Sequence, residues 1–363
     1  MKVLLLGFSK LIYMPYAFFY MECLGNDNEI HIITWNRDGE EDIKPHVGTH
    51  VHEFLCKQQN QVEKKSKISN FVRYRKYALS IIKEIKPDRV ISLHTLPGIL
   101  LFDILTGKYK RRYIYDYRDF TYENIPAFRY MVSQLVKKSS ATFVSSDGFR
   151  KYLPKKCDNK IFTSHNITND LIERNMLFHK RNSQEVLRVG FWGIVRNEKF
   201  NKQIIFRLAN DKRFELHFFG KEEKVVENLK KYCVEEIASN NVFFHGAYQP
   251  DDRYTFCNYI DIIHNMYSDN NMMIAISNKM YDGIFLCIPQ ICFVGSYMGQ
   301  IVEKRHVGLA LNPFDNDFND MLYDYYNSLS GESFMNACNM AQKEIASQYK
   351  EAGLIVQQFA MNG

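Results

Sequence analysis

The sequence predicts an α/β protein built of two doubly wound parallel-sheet domains. Three observations predict it. Short apolar runs of β character alternate with helical stretches along most of the 363 residues, as strands joined by helical crossovers do. The alternation lapses over 150–186, a polar stretch with Pro154 and scattered Asn and Lys, and then starts afresh. A chain of this length also exceeds what one ordinary core accommodates.

The first series opens with the strand "KVLLLGF" (2–8) and a helix over 13–24. "EIHIITW" (29–35) is apolar enough for burial on both faces. Ile68, Phe71, Val72, Ala78, Leu79, Ile82 and Ile85 recur at helical spacing up to Pro87, which ends the helix. "DRVISLH" (88–94), a helix over 97–106, "RRYIYDY" (111–117), a helix over 126–138 and "ATFVSS" (141–146) complete the series. The second has strands at 186–192, 214–220, 241–246, 259–265 and 288–294, helices at 199–209, 222–237, 250–257 and 276–286, and a helical end at 317–360. The expected division is an N-terminal domain 1–168, a linker 169–185, a C-terminal domain 186–340 and a helix in 341–363 that packs back on the N-terminal domain. No solenoid-period repeat is visible.

The eight cysteines form no CxxC pair or zinc-ligand spacing, and the apolar opening is cut by Gly7, Ser9 and Lys10. The expectation is therefore free thiols in a reducing cytoplasm, with no secretory leader and no bilayer-spanning segment. The net charge of +6 is uneven: residues 1–150 hold 23 Lys and Arg against 16 Asp and Glu, or +7, leaving −1 for the rest. The basic clusters at 64–89, 108–112 and 137–138 suit a polyanion or an anionic membrane, or are solvated helix faces.

Three stretches carry candidate chemistry. "YIYDYRDFTYE" (113–123) ends an apolar run in Asp116, Arg118, Asp119 and Glu123. An edge strand turning into water explains such charges, but so does the end of a buried parallel strand, where open α/β sheets hold their chemistry. In "VGFWGIVRNEK" (189–199), glycine at a strand end is followed by Arg196, Lys199 and Lys202 around a helix start. Backbone amides and cations there would hold a diphosphate; a structural turn is the alternative. In "ISNKMYDGIFLCIPQICF" (276–293), Asn278, Lys279 and Asp282 open an apolar helix. Asn278 suits an N-cap, and Asp282 either faces solvent or accepts the hydroxyls of a ribose.

The order of "VGFWGIVRNEK", "LHFFGKEE", "NVFFHGAYQPDDRYTFCNYIDIIHNMYS", "SNKMYDGIFLCIPQI" and "VGLALNP" resembles the nucleotide-binding half of GT-B glycosyltransferases, those of bacterial capsule and lipopolysaccharide synthesis above all. "PDRVISLHTLPG" and "YDYRDFTYE" are similar to that family's "PDVVHAH" and "YDxHDxxPE". The resemblance covers most of residues 1–315. It implies two Rossmann-like domains facing across a cleft, the second gripping a nucleotide-sugar, the UDP form on the family's habit. Gly193, Gly220, Arg196, Lys199, Lys202, Asn278, Lys279 and Tyr281 would be donor contacts, with Asp282 on the ribose in place of the family's Glu. It also implies that Asp116 or Asp119 is the base of an inverting transfer, that Arg118 orients one of them, that Glu123 positions the acceptor and that His94 touches substrate.

Two departures stand out: "CIP" replaces the usual Gly-x-Pro, and Ile274, eight residues before Asp282, is no acid. The retaining signature is thus incomplete and the anomeric outcome open. The expected partners are a nucleotide-sugar donor, a glycan or polyprenyl-diphosphate-linked acceptor, and the anionic inner leaflet. Lys64, Lys65, Lys67, Arg73, Arg75, Lys110, Arg111 and Arg112 would hold the enzyme there, with the aromatic stretch 9–24 as an apolar lip. No metal or other cofactor is expected, since no Asp-x-Asp pair is seen of the kind with which the other glycosyltransferase scaffold holds a divalent ion. A sugar-nucleotide epimerase on the same scaffold is the alternative. Nucleic-acid binding is disfavoured, because aromatics do not interleave with the basic clusters.

Overall fold

In the computed structural model, residues 1–58, 64–167, 171–172, 178, 180 and 185–361 are described, the side chains of 64–66 excepted. The chain divides into two units, Met1–Thr168 with Ala346–Gly363, and Asn169–Ile345. Most of the expected linker, and the side chains of Lys64 and Lys65, lie outside the described residues.

The first unit is built on seven parallel strands: β1 (Lys2–Leu6), β2 (Glu29–Asn36), β3 (Thr49–Leu55), β4 (Arg89–Leu93), β5 (Tyr113–Tyr117), β6 (Ala141–Val144) and β7 (Ile161–Thr163). Their order is β3-β2-β1-β4-β5-β6-β7, so the strand order reverses between β1 and β4. The central strands are buried on both faces, as their unbroken Val, Ile and Leu runs require. Between them lie α1 (Tyr16–Leu24), α2 (Lys64–Ile85), α3 (Thr95–Leu100), α4 (Phe102–Thr106) and α5 (Pro126–Lys138). The helix expected at 97–106 is broken at Leu101. Gly98 lets α3 approach β5, since a Cβ there would lie 2.6 Å from the Tyr115 ring. One face of the sheet packs Phe19, Tyr20 and Leu24 of α1 together with Ala352, Val356 and Phe359.

The second unit repeats the plan with six strands: β8 (Leu187–Trp192), β9 (Phe214–Phe219), β10 (Val242–Phe244), β11 (Ile262–His264), β12 (Gln290–Phe293) and β13 (Gly308–Leu311), ordered β10-β9-β8-β11-β12-β13. Its helices are α6 (Glu198–Leu208), α7 (Lys224–Tyr232), α8 (Asp252–Phe256), α9 (Asn278–Phe285), α10 (Tyr297–Lys304) and α11 (Phe318–Ser328). A last helix, α12 (Gly331–Met361), begins in the second unit and ends in the first.

The alternation did not show β3, β7, β13 or α10. β3 and β7 lie at the outer edges of the first sheet and β13 at an outer edge of the second. An edge strand needs no two-faced apolar run; "THVHEFL" of β3 is largely exposed and carries His and Glu, which blunt the edge.

Candidate active site

Parallel strands bring their C-terminal ends to one rim, and a crevice opens there where strand order reverses. In the first unit His94 follows β4 at that point. Its backbone has φ 84° and ψ 159°, a region that non-glycine residues enter at a cost of about 1–3 kcal/mol and only when their surroundings hold them. Three contacts hold this one. The ring accepts the Leu96 N–H at Nδ1 (3.4 Å), lies parallel to Phe8, and meets Asp119 Oδ2 through Nε2 at 2.5 Å. With Nδ1 accepting, Nε2 carries the proton and donates it to the carboxylate. The Asp119 side chain is 46 % exposed and that of His94 21 %.

The loop that carries Asp119 is fastened by its neighbours. Thr95 and Thr121 hydroxyls donate to the Asp119 carbonyl at 3.0 and 3.3 Å, and Ser145 donates to that of Arg118 at 3.1 Å. Glu123, fully buried, accepts the Tyr117 hydroxyl at 2.7 Å and the Thr121 N–H at 2.6 Å. It braces the loop from inside, and the acceptor-positioning role expected of it is corrected accordingly. Asp116 is likewise fully buried and bound to Arg118 Nε at 2.7 Å. Arg118 donates to Ser164 at 3.1 Å and stacks 3.8 Å over Tyr16. Burial pushes the Asp116 carboxyl up, and Arg118 opposes that shift. This pair is a structural anchor: Asp116 has no route to a hydroxyl in solution, and Arg118 orients Asp116, not Asp119. The four charges of the strand end thus resolve into a buried ion pair, an internal brace and one half-exposed carboxylate.

In the second unit three adjacent strands end close together on glycine. Gly193 N–H donates to Phe219 O at 2.9 Å and Gly220 N–H to Gly246 O at 2.8 Å. A Cβ on Gly220 would lie 2.2 Å from Gly193 O, and Gly193 itself has φ 107°. Asn197, in the left-handed region, caps α6 by accepting the Phe200 N–H at 3.2 Å. Arg196 and Lys199 are exposed at this turn. Lys202 instead pairs with Glu198 at 3.2 Å and lies over Tyr232, so it serves the helix surface, not the strand-end loop.

Helix α9 starts at Asn278, two residues after the expected 276, with Ser277 and not Asn278 at the capping position. Asn278 is exposed there; Lys279, Tyr281 and Asp282 are buried. The Lys279 ammonium donates to Trp192 O at 3.0 Å and to the Tyr267 hydroxyl, 4.0 Å over the Phe191 ring. Burial pulls its pKa down to about 7, against the pull of Asp282. Asp282 accepts Trp192 Nε1 at 2.8 Å and lies 3.8 Å from Arg253 Nε. It is 2 % exposed, enclosed by Trp192 at the end of β8 and by Arg253. The ribose role is therefore corrected: Lys279 and Asp282 fasten α9 to the end of β8. A buried chain completes the seat, with Ser277 donating to Asn265 (2.6 Å), Asn265 to Gln290 (3.0 Å) and Gln290 to Met280 O (3.0 Å).

Sequence reasoning missed Thr95, Thr121, Trp192, Tyr267 and Gln290. All five lay inside stretches already quoted, but as uncharged side chains they carried no local signal of a role. Among the described residues, no group of three or more His, Cys, Asp or Glu side chains is placed to hold a metal ion.

No family model matches the chain, and no curated protein matches it in sequence. Solved structures do match. Sucrose-phosphate synthase from Thermosynechococcus elongatus is 10 % identical, with TM-score 0.71, over 99 % of this chain and 98 % of that one. HepE of Anabaena in complex with UDP is 11 % identical, with TM-score 0.70, over 99 % and 100 %. WaaG, a glycosyltransferase involved in lipopolysaccharide biosynthesis, is 11 % identical, with TM-score 0.61, over 98 % and 99 %. With two six-strand-or-larger parallel sheets of matching order and near-complete coverage of such proteins, the chain has the GT-B fold of glycosyltransferases.

Proposed function

We propose that this protein is a glycosyltransferase that moves a sugar from a nucleoside-diphosphate donor, a UDP-sugar, to a hydroxyl of a glycan acceptor. The observation that carries the reading is the strained His94 at the end of β4, which holds the half-exposed carboxylate of Asp119 in the loop after β5. Strain of this kind collects where chemistry is done. Asp119 takes the proton of the acceptor hydroxyl as its oxygen bonds to the anomeric carbon, and the bond from that carbon to the diphosphate breaks. This describes an inverting displacement. His94 is the positioning residue for the base. The departing diphosphate is met by the glycine-ended strands β8, β9 and β10, the start of α6, and Arg196 and Lys199.

The UDP donor is supported by HepE, solved with UDP. A surface-glycan acceptor, lipid-linked and reached at an anionic inner leaflet, is supported by the likeness to WaaG and by the basic first half of the chain. A thermal-shift screen with UDP, GDP, CDP and their sugars, followed by transfer assays, tests the reading. Asp119→Asn is expected to keep the UDP-induced shift and lose transfer by at least about 100-fold, the usual worth of a general base. A variant that transfers at the wild-type rate removes Asp119 from the mechanism. A donor epimerised without acceptor establishes the other enzyme class.

A further inference from the structure

The sequence shows its basic clusters as separate segments, and the fold sorts them. The cluster 108–112 stands just before β5 and 137–138 just before β6, so both lie at the N-terminal rim of the first sheet, away from His94 and Asp119. Arg111 N–H donates to Lys138 O at 2.8 Å, and Lys160, just before β7, donates to Lys137 O at 2.9 Å. Seven basic positions on three neighbouring strand entries are thereby one patch. Like charges crowd there. Arg111 lowers the pKa of Lys160 and Arg112 that of Arg89, each adding to burial. Among the described residues, Lys108, Lys110, Arg111, Arg112, Lys137 and Lys138 make no ion pair with an acid, and all but the half-buried Lys138 are exposed.

The cations of α2 belong elsewhere. Arg75 is spent on Asp103 at 2.8 and 2.9 Å, and Lys67 lies at the opposite end of α2 from its junction with β4. Of the residues expected to hold the enzyme at a membrane, Lys110, Arg111 and Arg112 lie on this rim.

We infer that the N-terminal rim of the first unit is an adhesion surface for an anionic phospholipid bilayer. Charge complementarity selects a polyanion. The aromatics among the cations, Tyr109 and Tyr113, are fully buried, so no platform for stacking bases is offered. No large apolar residue of 107–113 or 137–140 is exposed, so adhesion is electrostatic and without insertion. No helix among the described residues is long and apolar enough to cross a membrane. The inference deepens the acceptor reading above. β5 separates the rim from the Asp119 loop by about 17 Å at ~3.3 Å per residue, so the hydroxyl that reacts stands off the lipid headgroups, as the tip of a glycan several sugars long does.

The test is co-sedimentation of the full chain with phosphatidylglycerol–phosphatidylcholine vesicles, at low and high salt, against phosphatidylcholine alone. Wild type binds only the anionic vesicles, and salt releases it. The rim variant Lys108→Gln/Lys110→Gln/Lys137→Gln binds about 100-fold more weakly, at ~1 kcal/mol per basic residue. The α2 variant Lys67→Gln/Arg73→Gln/Lys76→Gln keeps its binding. Unchanged binding of the rim variant, equal loss in both variants, or preference of the wild type for a single-stranded RNA oligonucleotide over vesicles overturns the inference. A UDP-induced melting shift, run alongside, reports the donor site separately: its absence sinks the transferase reading and leaves the vesicle result to stand or fall alone.

Discussion

His94 and Lys279 each hold a costly state, a left-handed φ in the first and a buried amine in the second. At His94 the left-handed φ penalises any side chain with a Cβ, so His94→Ala keeps the strain and loses the contacts, whereas His94→Gly loses both. Both variants are expected to lose transfer, with the glycine variant the more stable by about 1–2 kcal/mol in urea unfolding. An alanine variant equal to or more stable than the glycine variant would show that the backbone there is unstrained. At Lys279 the folded pKa of about 7 lies below the ordinary 10.5. Below pH 7 both folded and unfolded chains carry the proton, and the folded chain bears the full cost of a buried charge. Between 7 and 10.5 only the unfolded chain carries it, so stability gains as pH rises. Lys279→Met removes that gain, and the unfolding free energy of wild type relative to the variant is expected to climb from pH 7 to pH 9. A flat difference means that the amine titrates normally. Neither residue's role was legible in one dimension. His94 and Asp119 lie 25 positions apart, and Trp192 and Tyr267, which seat Lys279, come from the end of β8 and the loop after β11.

At the scale of elements, α9 shows how a polar network fixes a helix that its apolar pattern only announces. Gly283 is in contact with Gln290: a Cβ there would lie 2.2 Å from Nε2, and Gln290 is fully buried between Asn265 and the Met280 carbonyl. Gly283→Ala should therefore cost about 1–3 kcal/mol through overpacking, despite the better helix propensity of alanine. Gln290→Ala should also destabilise, since it strips two buried groups of a partner. Because the double variant removes the clash, its loss is expected to fall short of the sum of the single losses. Additive losses in urea unfolding would mean that the two side chains do not share this space. The helix itself was readable from Ile284, Phe285 and Leu286 after the polar Asn278. Its true start was not, because the partners of Ser277 are Asn265, just past β11, and Met298 of α10.

For the whole molecule, each unit holds one of the two tryptophans, Trp35 in the first and Trp192 in the second, so each unit can be followed separately. The end of α12 supplies Ala352, Val356, Phe359 and Ala360 to the core beside Phe19 and Tyr20. A chain ending at Ile345 is expected to unfold its first unit at lower urea, read in a Trp192→Phe background, while the transition read from Trp192 in a Trp35→Phe background stays in place. Coincident shifts of both probes would show that the truncation acts on the molecule as one cooperative body. The sequence by itself determined the α/β class, the two series of strands and the rim of each sheet on which candidate chemistry falls, because apolar runs, strand-end charges and glycines are local signals. Tertiary structure alone decided which carboxylate is exposed, which cations form one patch and which polar residues merely seat a helix. Burial and like-charge crowding depend on neighbours that the chain brings together from far apart.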